Sequence, residues 1–136
     1  MGRPGSVPSV GPVRTLLVDD DTSLRQLFRL LLDSEPDFLV VGEASSADEA
    51  IPLAATEAPD LIVSDVEMPG TSGVDAVPHL RAAAPEAAVV LMSSLHPSDI
   101  TPLAMAAGAD AYIDKATGVE TLITMLRDVV RRRAAR

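Results

Sequence analysis

The chain has 136 residues, 47% of them hydrophobic and 23% charged, which suits one globular domain with a sizeable core. It has no cysteine, which excludes disulfides and thiolate metal sites and fits a reducing compartment, and its net charge of −9 opposes direct nucleic-acid binding, which draws on neutralised phosphates. No apolar run reaches the ~18 residues of a membrane span, and the first dozen residues lack the apolar stretch of a signal peptide, so a cytoplasmic protein without a membrane partner is expected.

Residues 1–12 are rich in Gly, Pro and Ser and predict a flexible tail. One domain is expected over residues 13–133, with 134–136 as its end or the start of a linker. Within it, strand-like and helix-like segments alternate, the pattern of an α/β fold with a parallel sheet. The run Leu16-Leu17-Val18 marks a first strand. Asp21 is placed to cap a helix from Thr22, with Leu24, Leu27, Phe28 and Leu31 spaced to form one buried face. A second strand is predicted over Phe38 to Val41, and Ser46 with Glu49 forms a capping box that starts a second helix. Leu61 to Asp65 reads as a third strand, with a third helix after Gly73. Ala88 to Met92 reads as a fourth strand. Thr101 as cap and Pro102 at the first helical position predict a short helix over about 102–107, behind a loop from Leu95. Ala111 to Ile113 gives a fifth strand. Thr117 and Glu120 suggest a capping box for a last helix that buries Leu122, Met125, Leu126 and Val129. Pro52 and Pro78 fall about six residues into their helices and are expected to kink or shorten them. Arg127, Arg131, Arg132, Arg133 and Arg136 read as a solvated last turn favoured by the helix dipole, or as the start of a linker. With only Phe28, Phe38 and Tyr112 as aromatics, the core must be mostly Leu, Val, Ile and Ala.

Four of these apolar runs stop at residues suited to phosphate or a divalent cation: Asp19-Asp20-Asp21, Ser64-Asp65, Ser93-Ser94 and Asp114-Lys115. Ligands of open parallel sheets bind at the carboxyl ends of the strands, so these ends would converge on one pocket. Met68-Pro69-Gly70 turns the chain sharply after Asp65 and holds that carboxylate at the strand end, where it can be a nucleophile, a metal ligand or both; taken alone, it could equally serve its own loop. One of the three aspartates is explained as a helix cap. The other two would repel Asp65 without a cation, and an oxygen-rich set of this kind suits Mg2+. Lys115 is the sole lysine beside ten arginines, which suggests a small pocket where a planar guanidinium fails. Ser93 adds a hydroxyl. Together the residues suggest phosphoryl transfer, which depends on positioning and electrostatics more than on covalent chemistry.

From about Arg14 to Arg132 the chain resembles the receiver domains of bacterial two-component response regulators. The segments that carry the likeness are Leu-Leu-Val-Asp-Asp, Pro-Asp-Leu-Ile-Val-Ser-Asp-Val-Glu-Met-Pro-Gly and Ala-Gly-Ala-Asp-Ala-Tyr-Ile-Asp-Lys. The resemblance implies a flavodoxin-like five-stranded parallel sheet of order 2-1-3-4-5 with five helices on both faces. It implies that Asp65 is phosphorylated by a histidine kinase. Asp19, Asp20, Asp65 and the backbone carbonyl of Glu67 would hold Mg2+ (or Mn2+), with Asp20 favoured as the direct ligand. Ser93 and Lys115 would stabilise the phosphoryl group, and Ser93 and Tyr112 would act as the switch that remodels the face of the fourth helix, fifth strand and fifth helix.

Val41-Gly42-Glu43-Ala44 and the last helix resemble the NarL/FixJ subfamily, whose members carry a C-terminal helix-turn-helix, so DNA would be reached only through a separate output domain. A stand-alone receiver acting by protein–protein contact is the alternative, and a homodimer is left open. Ala116 departs from the proline many receivers place after the lysine. Asp19-Asp20-Asp21-Thr22 also resembles the start of haloacid-dehalogenase-type phosphatases, but Ser23 stands where that motif has Thr or Val. A degenerate receiver is the other rival, although the acids, acceptor and lysine are all present. No turnover enzyme is expected, and His79 and His96 form no ligand pair.

Overall fold

Five strands and five helices alternate along the chain: β1 (Val13–Val18), α1 (Thr22–Asp33), β2 (Phe38–Ala44), α2 (Ala47–Glu57), β3 (Leu61–Asp65), α3 (Gly73–Ala83), β4 (Ala88–Ser93), α4 (Pro97–Ala107), β5 (Ala111–Asp114) and α5 (Val119–Ala134). The structure, a computed structural model, describes residues 11–135; most of the expected tail and Arg136 fall outside it. All four strand pairings are parallel and the sheet order is β2-β1-β3-β4-β5, the flavodoxin-like arrangement expected.

The side-chain alternation of the strands builds a core on each face. Leu16, Val18, Ile62, Val89 and Leu91 point to one side, where Ala50, Ala54, Ala76, Leu80, Ile100 and Ala104 of α2, α3 and α4 cover them. Leu17, Leu61, Val63, Val90, Met92 and Ile113 point to the other, under Leu32 of α1 and Leu122, Ile123 and Leu126 of α5. β3 and β4 are buried throughout, which accounts for their unbroken apolar runs. Small alanines let α2 and α3 lie close to the sheet. Gly42 shows the same tightness: a Cβ there would lie 3.2 Å from Leu16 Cδ1.

Several local expectations are corrected. β2 runs on to Ala44, with a bulge that skips Val41 between the pairs Thr15–Val40 and Leu16–Gly42. On α1, Leu27 is 51% exposed and Leu32 takes its place in the core, because the stripe follows Leu24, Phe28, Leu31 and Leu32. α4 starts at Pro97, not at Pro102: His96 caps it, its Nδ1 accepting the Ser98 N–H, and Pro102 lies inside the helix. α5 has no capping box. Gly118 is its N-cap without a side-chain bond, and the Thr117 N–H is already spent on Asp114 O in the preceding turn. Pro52 and Pro78 do not shorten their helices.

Of the terminal arginines, Arg131 and Arg132 are exposed as expected, but Arg127 and Arg133 are not simply solvated. Arg127 pairs with Asp37 and Glu35 and lies over the Phe38 ring, while Arg133 reaches Pro85 O and Asp110. Asp21 caps α1 and Ser46 caps α2 as expected; the Glu49 carboxylate, though, reaches Ser45 N–H and Oγ instead of the cap residue. No helix among the described residues is long and apolar enough to cross a membrane.

Candidate functional site

The chain leaves β1 toward β2 on one side and later enters β3 on the other, so the strand order reverses between β1 and β3. Crevices at such a reversal, beyond the carboxyl ends of the strands, are where open α/β sheets bind ligands. Val18 pairs with Ser64, so the next residues, Asp19 and Asp65, stand side by side at that crevice. Asp65 pairs with Met92 and Ser93 pairs with Asp114, which continues the row across β4 to β5 and Lys115.

Carboxylate oxygens of Asp19, Asp20 and Asp65 lie within 4.8 Å of one another. Asp19 and Asp65 are buried, at 5% and 6% exposure, and Asp20 faces solvent. Asp19 is fixed from three directions. Its Oδ1 accepts the Asp21 N–H at 2.9 Å, its carbonyl accepts Arg25 Nη1 at 2.6 Å, and its Oδ2 lies 3.5 Å from Lys115 Nζ. Lys115 Nζ is 3.1 Å from Asp65 Oδ1, which also accepts the Glu67 N–H at 3.3 Å. Thus one ammonium serves two buried carboxylates while a third stands open. Two negative charges are left over, and an all-oxygen donor set with that surplus fits a hard divalent cation.

The same imbalance appears in proton affinity. Burial pushes the Asp65 carboxyl above the usual range, the bond and charge of Lys115 pull it back, and Asp19 pushes it up again, so it stays raised. Burial works against the charge on Lys115, but the carboxylates of Asp65 and Asp19 outweigh it and the ammonium is held more firmly than usual. The lysine is therefore locked as a cation, while the carboxylate it serves is short of compensation.

Ser93 is fully buried at the end of β4. Its hydroxyl donates to Glu67 Oε1 at 3.0 Å and accepts the Leu95 N–H at 2.9 Å. Tyr112 reaches the same segment from β5, its hydroxyl 3.0 Å from Ser93 O and 2.8 Å from Leu95 O. Asp114 turns to its own loop, accepting the Ala116 N–H. His79 on α3 and His96 at the cap of α4 are both exposed, and neither belongs to a cluster of three or more metal-ligating side chains among the described residues.

Three supports were not visible in the sequence. The Glu67 side chain was one. Another was Arg25, which joins the Asp19 carbonyl to Glu43 of β2. The third was Gly73, the first residue of α3: a Cβ there would sit 2.1 Å from the Asp65 carbonyl oxygen. Its position three residues past Gly70 was the one available signal.

This fold is that of a signalling receiver, and a family model described as the response regulator receiver domain matches residues 15–127. The chain belongs to that family. It is 38% identical over 116 residues to the nitrate/nitrite response regulator protein NarL of Escherichia coli (strain K12), covering 85% of this chain and 53% of that protein. It is 37% identical over 121 residues to a protein-glutamate methylesterase/protein-glutamine glutaminase of Rhodospirillum centenum, covering 86% of this chain and 31% of that one. Among solved structures, a two-component response regulator of the LuxR family from Aurantimonas sp. SI85-9A1 superposes with a TM-score of 0.85 at 30% identity, over 90% of this chain and 88% of that one. The chain spans about half the length of NarL and about a third of the methylesterase.

Proposed function

We propose that this receiver domain is switched by phosphorylation of Asp65, with a histidine kinase as donor. The observation that carries the reading is the pairing of Lys115 with both Asp65 and Asp19 beside a third carboxylate, all at the reversal of strand order. Asp19, Asp20, Asp65 and the Glu67 carbonyl would hold Mg2+ (Mn2+ as substitute), which when bound would neutralise charge on phosphoryl oxygens. In the transfer, an Asp65 carboxylate oxygen forms a bond to phosphorus as the bond from phosphorus to the donor's histidine nitrogen breaks. Lys115 and the Glu67 N–H both address Oδ1, so Oδ2 is the oxygen assigned to phosphorus. Lys115 holds its proton throughout and offers a fixed positive charge.

Ser93 then donates to a phosphoryl oxygen. Because Tyr112 is bonded to the carbonyls of Ser93 and Leu95, movement of Ser93 disturbs Tyr112, and with it the surface of α4, β5 and α5. The likeness to NarL supports an attached DNA-binding output module and a role in transcription. The likeness to a methylesterase fits the same receiver serving another output, and a stand-alone receiver is the second reading. The domain assists its own phosphorylation but turns over no separate substrate.

The test is incubation with Mg2+ and a small phosphodonor, followed by intact mass. The wild-type chain gains one phosphoryl group and Asp65→Asn gains none. Equal gain by the variant would remove Asp65 as acceptor. Asp20→Ala weakens Mg2+ binding by tenfold or more (about 1.4 kcal/mol), checked by titration.

A further inference from the structure

A serine hydroxyl has one proton to donate, and here Ser93 gives it to Glu67. The partners differ in setting: Ser93 is wholly buried, whereas Glu67 is exposed on the loop between β3 and α3. An exposed acid thus reaches down onto a buried hydroxyl and fills the position from which the hydroxyl would donate elsewhere. The Leu95 N–H, which donates to the Ser93 oxygen, and Tyr112, which touches the carbonyls of both residues, hold the same segment from the other sides.

The geometry points to the Glu67 side chain as an internal competitor for Ser93, one that the phosphoryl group must displace and that sets how tightly the site holds that group. This rests on the reading of Asp65 and Ser93 given above. Two effects act in the same direction. While Ser93 donates to Glu67 it cannot donate to a phosphoryl oxygen. A carboxylate this close also repels a group carrying nearly two negative charges at neutral pH. Displacement is cheap because Glu67 can swing into water and be solvated there. The role differs from that of the Glu67 carbonyl, which any residue at this position retains. It also reaches Tyr112 without phosphate: when Glu67 lets go, Ser93 is free to rotate, and the Leu95 N–H and the carbonyls under Tyr112 must adjust.

The probe is beryllofluoride, formed in solution from beryllium and fluoride as a mimic of an acyl phosphate, titrated at saturating Mg2+ so that cation affinity does not enter. Amide and Tyr112 ring signals in NMR spectra report binding. Glu67→Ala reaches half-saturation at roughly two- to tenfold lower beryllofluoride than wild type, the worth of one hydrogen bond. Glu67→Gln, which keeps an acceptor but loses the charge, falls between them. The gain disappears when Glu67→Ala is combined with Ser93→Ala, compared with Ser93→Ala alone. Without any beryllofluoride, the Tyr112 ring signals of Glu67→Ala already shift from those of wild type. Unchanged or weaker binding by Glu67→Ala, or a gain that survives the loss of Ser93, overturns the competitor role while leaving Asp65 as acceptor. Beryllofluoride binding by Asp65→Asn overturns the acceptor reading itself, and the competitor role with it.

Discussion

The surroundings of Asp65 favour its protonated form. Its raised pKa means that the folded chain binds this proton more tightly than the unfolded chain does. The ionised group therefore costs stability, and the cost grows as pH rises through the ordinary carboxylate range and on through the raised value. Asp65→Asn is accordingly expected to melt higher than wild type at pH 7 without a divalent cation, by about 4 °C for each 1 kcal/mol recovered. The difference should narrow as pH falls below the ordinary carboxylate range. Added Mg2+ should raise the melting temperature of wild type more than that of the variant. Scanning calorimetry across pH decides it, and a variant that melts lower than wild type would refute the account. Gly73 bears on the same aspartate from the backbone side. Gly73→Ala drives a methyl into the Asp65 carbonyl, so a loss of about 1–3 kcal/mol and slower phosphorylation are expected together. At this scale the strand-end acids, Ser93 and Lys115 were legible because each closes an apolar run. Glu67 to Ser93 and Arg25 to Asp19 were not, since such contacts join residues that share no period in the sequence.

The three outer helices α2, α3 and α4 each carry a proline at their sixth residue: Pro52, Pro78 and Pro102. Local rules read these as kinks, ends or, for Pro102, a beginning. In the fold all three prolines are exposed, on the side of the layer away from the sheet. The carbonyls of Asp48, Val74 and Ser98, which lose their usual partners, therefore belong to the side where water can replace a missing N–H. Burial decided the outcome, and burial cannot be read from a dipeptide. The start of α4 stayed hidden for a related reason: His96 does the work of a cap, and histidine is not among the residues that signal one. Each proline still forgoes a hydrogen bond. Pro78→Ala should raise stability by about 2 kcal/mol, the helix-propensity gain less the restriction proline places on the unfolded chain. A higher urea midpoint at unchanged slope checks this, and a lower midpoint would mean that the proline is packed into a shape alanine cannot keep.

The sheet order exposes the carboxyl ends of the strands for chemistry and leaves their amino ends to be tied shut. The tying is done by ions that lie far apart in sequence, which is why Arg127 and Arg133 read as mere solvated charge. Asp110, just before β5, is the centre of one such knot. Its side chain is only 7% exposed; Oδ2 accepts Arg81 Nη2 and the Val89 N–H, both at 2.8 Å, and Arg133 of α5 lies 3.5 Å from Oδ1. Arg81 also donates to Ala87 O and Gly108 O, so one aspartate and two arginines join α3, β4, the entry to β5 and α5. Burial opposes the charge on Asp110, but Arg81, the Val89 N–H and Arg133 overcome it and hold its carboxyl below the usual range. For a carboxylate lowered in this way, the stabilisation is complete above the ordinary carboxylate pKa and fades as pH falls through the lowered value. Asp110→Ala removes one of the acceptors of Arg81, leaves a buried backbone N–H without its carboxylate partner and should cost about 2–4 kcal/mol near pH 7. Because the lost term is the ionised carboxylate's, wild type and variant should converge in strong acid. A destabilisation of equal size at every pH would instead assign the effect to packing. Asp65 and Asp110 thus pull the stability curve in opposite senses from opposite ends of the strands: the acid at the site gains from protonation, and the acid in the knot loses by it.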